Sequence, residues 1–137
     1  MLYVLAVGTG LLALLPTLTC AAADPFAVEV ALDPDGIQRA VVEADSYEFS
    51  PRHLVVRAGK PVELTVKSVT VLVPHNVVID DPKSGLAIKE EIPAGQTVKL
   101  TFTPATPGSF PIYCDKKLLF FKSHREKGME GVLEVRP

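Results

Sequence analysis

The chain has 137 residues, a formal net charge of −2 and 47% hydrophobic residues, enough for one domain with its own core. A near-neutral, slightly acidic balance gives no electrostatic basis for a nucleic-acid partner. The charge is unevenly placed, however. Asp24, Glu29, Asp33, Asp35, Glu43, Asp45 and Glu48 face only Arg39 across residues 24–50, whereas residues 115–127 hold Lys116, Lys117, Lys122, Arg125 and Lys127 against Asp115 and Glu126.

Residues 1–23 carry no charged side chain, with Leu11-Leu12-Ala13-Leu14-Leu15 at their centre and Ala21-Ala22-Ala23 at their end. An apolar run followed by small residues predicts a secretory signal cleaved before Asp24, so the mature domain is expected to span 24–137 and to work in the periplasm or outside the cell. No Lys or Arg precedes the run. A retained membrane anchor is disfavoured by Pro16 and by an apolar run short of the roughly 20 residues a spanning helix needs. Lipid attachment at Cys20 is the other alternative, with Thr17-Leu18-Thr19 a poor fit to that motif.

From residue 26 the pattern alternates with period two. Val28 and Val30 begin it, and Asp33-Pro34-Asp35-Gly36 then reads as a turn before a strand over 37–43. Leu54 and Val56 alternate with His53, Val55 and Arg57. Val62, Leu64 and Val66 alternate with Glu63, Thr65 and Lys67, and Val98, Leu100 and Phe102 with Lys99, Thr101 and Thr103. Phe110, Ile112 and Cys114 share one side of the next strand, and Leu133 and Val135 close the chain. Twelve prolines and nine glycines punctuate these runs, so the reading is seven or eight short strands in an all-β sandwich, with at most a turn of helix within 115–127.

The chemistry-bearing residues are few. With Cys20 in the leader, Cys114 stands alone in a compartment where thiols are usually paired. A lone cysteine there is an intermolecular disulfide partner, a reactive thiol, a metal ligand or an inert core residue. Three of the remaining candidates lie in suggestive company: His75 in Val73-Pro74-His75-Asn76-Val77-Val78, and His124 and Met129 in His124-Arg125-Glu126-Lys127-Gly128-Met129. Two imidazoles, a thiolate and a thioether are the donor types of a mononuclear blue-copper site. His53 and Glu48 fall at outward-facing strand positions, so both are expected to be solvent-exposed and not ligands.

Four blocks in order resemble the cupredoxins, the blue copper proteins of the plastocyanin and azurin type: Tyr47-Glu48-Phe49-Ser50-Pro51 followed by Leu54, Val56, Gly59 and Val62; Pro74-His75-Asn76-Val77-Val78; Pro107-Gly108-Ser109-Phe110 with Ile112-Tyr113-Cys114; and His124 with Gly128-Met129, Gly131-Val132 and Val135. The resemblance covers about residues 45–137. It implies a Greek-key β-sandwich with one copper ion, cycling between Cu(I) and Cu(II), at one end. His75, His124 and Cys114 would be the strong ligands and Met129 the weak axial one, while Asn76 would tie the ligand loops together. The sequence departs from the family in one place. Nine residues separate Cys114 from His124, where family members commonly have two to four, and such an insertion allows a more open site. Within it, Leu118-Leu119-Phe120-Phe121 between Lys116, Lys117 and Lys122 either docks a redox partner or a membrane surface, or folds back to cap the barrel. The function expected is one-electron transfer without bond-making chemistry; copper storage, delivery or tolerance is the alternative.

Overall fold

The computed structural model describes residues 24–137; the expected leader and Cys20 lie outside the described residues. Ten strands follow one another: β1 (Ala27–Glu29), β2 (Gln38–Asp45), β3 (Glu48–Ser50), β4 (His53–Arg57), β5 (Val62–Ser68), β6 (His75–Asp81), β7 (Leu86–Ile92), β8 (Thr97–Phe102), β9 (Gly108–Tyr113) and β10 (Glu130–Arg136). They form a six-stranded sheet in the order β1-β4-β10-β9-β6-β7 and a four-stranded sheet in the order β3-β2-β5-β8. Among the described residues the only helical pieces are 3₁₀ turns at Pro82–Ser84 and Arg125–Lys127.

The alternation explains the layers. Val62, Leu64 and Val66 of β5 are buried while Glu63, Thr65 and Lys67 face outward, and β-branched side chains pack well on a half-buried pleated surface. The two inner faces meet in one core. Val42, Ala44, Phe49, Leu64 and Val66 come from the smaller sheet, and Leu54, Val56, Val77, Ile79, Ile112 and Leu133 from the larger. Each such side chain removed from water stabilises the fold by about 2 kcal/mol before entropy is counted.

The strand count exceeds the seven or eight expected, and β7 is the element the alternation does not show. Its sequence Leu-Ala-Ile-Lys-Glu-Glu-Ile buries only its two ends. It lies at a sheet edge, where charged side chains block pairing with other chains, so Lys89, Glu90 and Glu91 stand where a period-two core face would otherwise show.

One end of the larger sheet gathers the residues of interest. β9 pairs antiparallel with β10, Tyr113 opposite Glu130, and with β6, Tyr113 opposite Val78. Cys114 follows the last residue of β9, Met129 precedes the first of β10, and His75 opens β6. Antiparallel register therefore delivers three residues, distant in sequence, to the same edge of the core.

Candidate metal centre

The structure brings His75, Cys114 and His124 together, one donor atom from each lying within 4.8 Å of the others. Among the described residues this is the one such cluster of histidine, cysteine and carboxylate donors. Cys114 Sγ is 3.4 Å from His124 Nδ1, and the two imidazole centroids are 5.3 Å apart. Donors about 2 Å from a shared ion in a trigonal plane sit roughly 3.5 Å from one another, so little movement would close this triangle on a metal. Met129 lies beside it, fully buried; Cys114 N–H donates to its carbonyl at 3.2 Å and its own N–H donates to the His124 carbonyl at 3.0 Å.

His75 is committed by its surroundings. Thr70 Oγ1 donates its single proton to the Val73 carbonyl at 2.8 Å, so toward His75 Nε2, 3.3 Å away, it accepts. That places the proton on Nε2 and leaves Nδ1 a bare lone pair. Among the described residues, His75 Nδ1 is the buried side-chain nitrogen or oxygen with no hydrogen-bond partner. An unsatisfied buried acceptor is costly, and a metal ion satisfies it. Burial, and then the charge of His124, push the His75 pKa down to about 4, so the ring is neutral and ready to ligate at neutral pH. Burial likewise lowers the pKa of His124, aided by Lys127 and Lys116.

The Cys114 thiol is pushed up by burial, partly offset by the backbone N–H groups of Asn76 and Lys116. The Asn76 N–H reaches Sγ at 3.4 Å. Such a thiol is inert alone, but a metal ion displaces its proton, and the N–H groups then favour the thiolate. Asn76 also clamps the strands. Its side-chain amide donates to Asp115 Oδ1 at 2.6 Å while its side-chain oxygen accepts from Asp115 N–H at 3.0 Å. Lys89 completes the lock on Asp115 at 2.7 Å, and the Asn76 and Lys89 bonds hold that carboxyl below its usual range.

The long stretch between Cys114 and His124 does not open the centre. His124 N–H donates to the Lys116 carbonyl at 2.8 Å, so residues 117–123 leave and return through a closed stem. Ser123 and Glu126 then exchange reciprocal bonds: Ser123 N–H donates to Glu126 Oε2 at 2.7 Å and Glu126 N–H to Ser123 Oγ at 3.2 Å. This is the bonding of a capping box, and it starts the turn at Arg125–Lys127 that carries the chain to Met129. His75, Cys114 and Met129 are fully buried and His124 nearly so, contrary to the more open site the insertion allowed.

The capping alternative for the apolar stretch is also overturned. Leu118, Leu119, Phe120 and Phe121 are all exposed, because the stem directs them away from the barrel. His53 differs from expectation too. It points outward as the alternation required, yet its side chain is only 15% exposed, held between Asp24 and Glu134 at 3.0 Å each. Its outward face is covered by the start of the domain and by β10, and it does not join the metal cluster. Glu48 is exposed as expected. Two further residues neighbour the centre. Thr70, which sequence reasoning did not single out, sets the His75 tautomer, and Tyr47, noted only as part of a strand motif, packs edge-on against the His124 ring at 5.0 Å.

The donor set fits copper: imidazole suits either oxidation state, and thiolate with a soft thioether nearby suits Cu(I). A family model for the cupredoxin-like domain matches residues 10–131. Among curated proteins none matches. Among solved structures, the chain is similar to the metal-binding domain of a Cu(I)-exporting P-type ATPase of Streptococcus pneumoniae, solved with Cu(I), at 21% identity and TM-score 0.60, covering 81% of this chain and 96% of that one. It is similar to auracyanin B at 23% identity and TM-score 0.59, covering 79% and 94%. The reduced auracyanin of Roseiflexus castenholzii matches at 18% identity and TM-score 0.58, covering 72% and 97%. These likenesses show the fold, the Greek-key sandwich the motifs implied. With the family model spanning most of its length, the chain belongs to the cupredoxin-like domain family.

Proposed function

We propose that the protein is an exported mononuclear copper protein that carries single electrons between partners and is not an enzyme. The observation that carries this reading is the buried, preassembled cluster of His75, Cys114 and His124 with its orphaned His75 Nδ1. Its ligands would be His75 Nδ1, Cys114 Sγ and His124 Nδ1, with the Met129 thioether as a weak fourth. Copper, when bound, supplies a one-electron couple between Cu(I) and Cu(II). The chain supplies rigidity. The hydrogen bond to Thr70 fixes the His75 ring, the Asn76 and Asp115 clamp fixes the strand ends, and the closed stem fixes His124. Donors locked in this way keep one arrangement when the charge of the centre changes, which favours fast electron exchange. Export is supported by the leader-like residues 1–23, and the periplasm or the cell exterior is the proposed location.

The second reading, copper storage, delivery or tolerance, is favoured by the likeness to a Cu(I)-exporting ATPase domain. The absorption and electron-spin-resonance spectra of the copper-loaded chain test the site. A strong visible thiolate-to-copper band that Cys114→Ser abolishes is expected. Copper binding no tighter than that of His75→Ala would sink the metal assignment. Repeated oxidation and reduction without copper loss supports the carrier; transfer of Cu(I) to an apo-acceptor supports the second reading.

A further inference from the structure

We propose that the metal-bearing end of the molecule seats on an anionic lipid bilayer, using residues 118–121 and the neighbouring pair Val71 and Leu72 as apolar prongs. Leu72 is 88% exposed and Phe120 84%. Values this high mean that almost nothing packs on these side chains, so they project as tips instead of forming a flat patch. The excursion makes a tight turn, Phe121 N–H donating to the Leu118 carbonyl at 3.0 Å, with Leu119 at φ 50°, a left-handed conformation unfavourable for a branched residue. The Phe120 and Phe121 rings stack at 4.8 Å. A strained turn that raises four apolar side chains into water has no folding rationale.

Charge selects the occupant. Leu72, Leu118 and Phe121 wall a cleft of about 470 Å³ whose lining also includes His124 and the lysines Lys116, Lys117, Lys122 and Lys127, and no carboxylate. Lys116 is ion-paired with Glu91. Among the described residues Lys117 and Lys122 form no salt bridge, though both lie near enough to Glu126 to help lower its pKa, and both are exposed. The protein as a whole is slightly acidic, so this basic rim is local. Protein–protein interfaces favour arginine and deplete lysine. Lysines flanking leucine and phenylalanine are the composition of surfaces that enter the headgroup region, with ammonium groups at the phosphates and apolar side chains below. On the proposed copper reading, such seating would face His124 toward the membrane, and the partner for the electron would be membrane-embedded.

The chain has no tryptophan, so Phe120→Trp in the full chain places a unique reporter at the tip. Added phosphatidylglycerol-containing vesicles are expected to shift its emission to the blue, and lipids brominated in their acyl chains to quench it. Phosphatidylcholine vesicles are expected to do neither. A background of Lys117→Glu with Lys122→Glu should weaken the response about fivefold or more for each lysine. An anchor at the N-terminus would hold the chain near the vesicle but would not bury the indole. Emission that stays water-like with anionic vesicles overturns the proposal, as does an equal response to both lipids. A shift with a soluble polyglutamate peptide but not with vesicles overturns it in favour of an acidic protein. The same chain carrying Cys114→Ser should keep the vesicle response, so failure of the copper site and failure of the membrane surface are read separately.

Discussion

Replacing His75 by asparagine should flatten the pH dependence of stability of the metal-free protein between about pH 7 and pH 5. His75 is fully buried, and its folded-state pKa is pushed from 6.5 down to about 4. The sign follows from proton uptake. Below pH 6.5 an unfolded chain protonates this ring and the folded chain does not, so acid favours unfolding. The stability is fully present above the unfolded pKa and is lost as pH falls toward the folded one. At about pH 5 that loss is about 2 kcal/mol relative to pH 7, from the displacement of the two pKa values and 1.36 kcal/mol per unit. His124, also lowered from the imidazole value by burial, acts in the same direction within this window and remains in both proteins, so His75→Asn reduces the slope without abolishing it. The lowered carboxyls of Asp115 and Glu126 act near and below the ordinary carboxylate range. Urea titrations of chelator-stripped wild type and His75→Asn at several pH values measure the effect as the difference between two curves. That difference should narrow by about 2 kcal/mol on acidification. Curves that run parallel from about pH 7 to pH 5 would refute the picture of a ring held neutral by burial.

Three further substitutions test the frame around the centre. Thr70→Val keeps the shape but removes the acceptor for His75 Nε2–H; copper affinity, by competition with a chelator, should fall about tenfold, and an unchanged affinity would deny Thr70 its positioning role. Gly131→Ala drives a methyl into the backbone carbonyl of Arg52, to which Val132 N–H donates at 2.7 Å; a loss of about 1–3 kcal/mol in urea unfolding is expected. Leu119→Gly relieves the positive φ of an exposed residue, so stability should hold or rise by up to about 1 kcal/mol, while a clear loss would mean that Leu119 packs on something.

The sandwich was legible because its central strands are half-buried: Val62, Leu64 and Val66 against Glu63, Thr65 and Lys67 spell out two faces. It was not legible at β7, where edge protection put charges in the middle of a strand. The residues of the candidate centre were legible by type, since histidine, cysteine and methionine are rare here and three of them lie close to the chain end; the structure gathers His75, Cys114 and His124. What alternation cannot report is what lies over an outward face. His53 was read as solvated, but Asp24 and Glu134 cover it, and Asp24 is remote in sequence. Thr70 is invisible for a similar reason. Its role depends on which partner takes its one proton, a fact of three-dimensional geometry.

The insertion between Cys114 and His124 shows most clearly how local bonds decide what spacing leaves open. A free stretch of nine residues adds only about 1 kcal/mol of closure entropy over one of two to four, so length alone neither forces the ligands apart nor holds them together. The bond from His124 N–H to the Lys116 carbonyl settles it, because it brings His124 back within two residues of Cys114 in connectivity. Ser123 and Glu126 then fix the return, and the Met129 N–H closes on the His124 carbonyl. From the centre outward the ligand loop is therefore a short one, and the extra residues form a separate projection. Substitutions in residues 117–122 should therefore leave the donor triangle in place, and copper affinity measured by chelator competition should stay at the wild-type value.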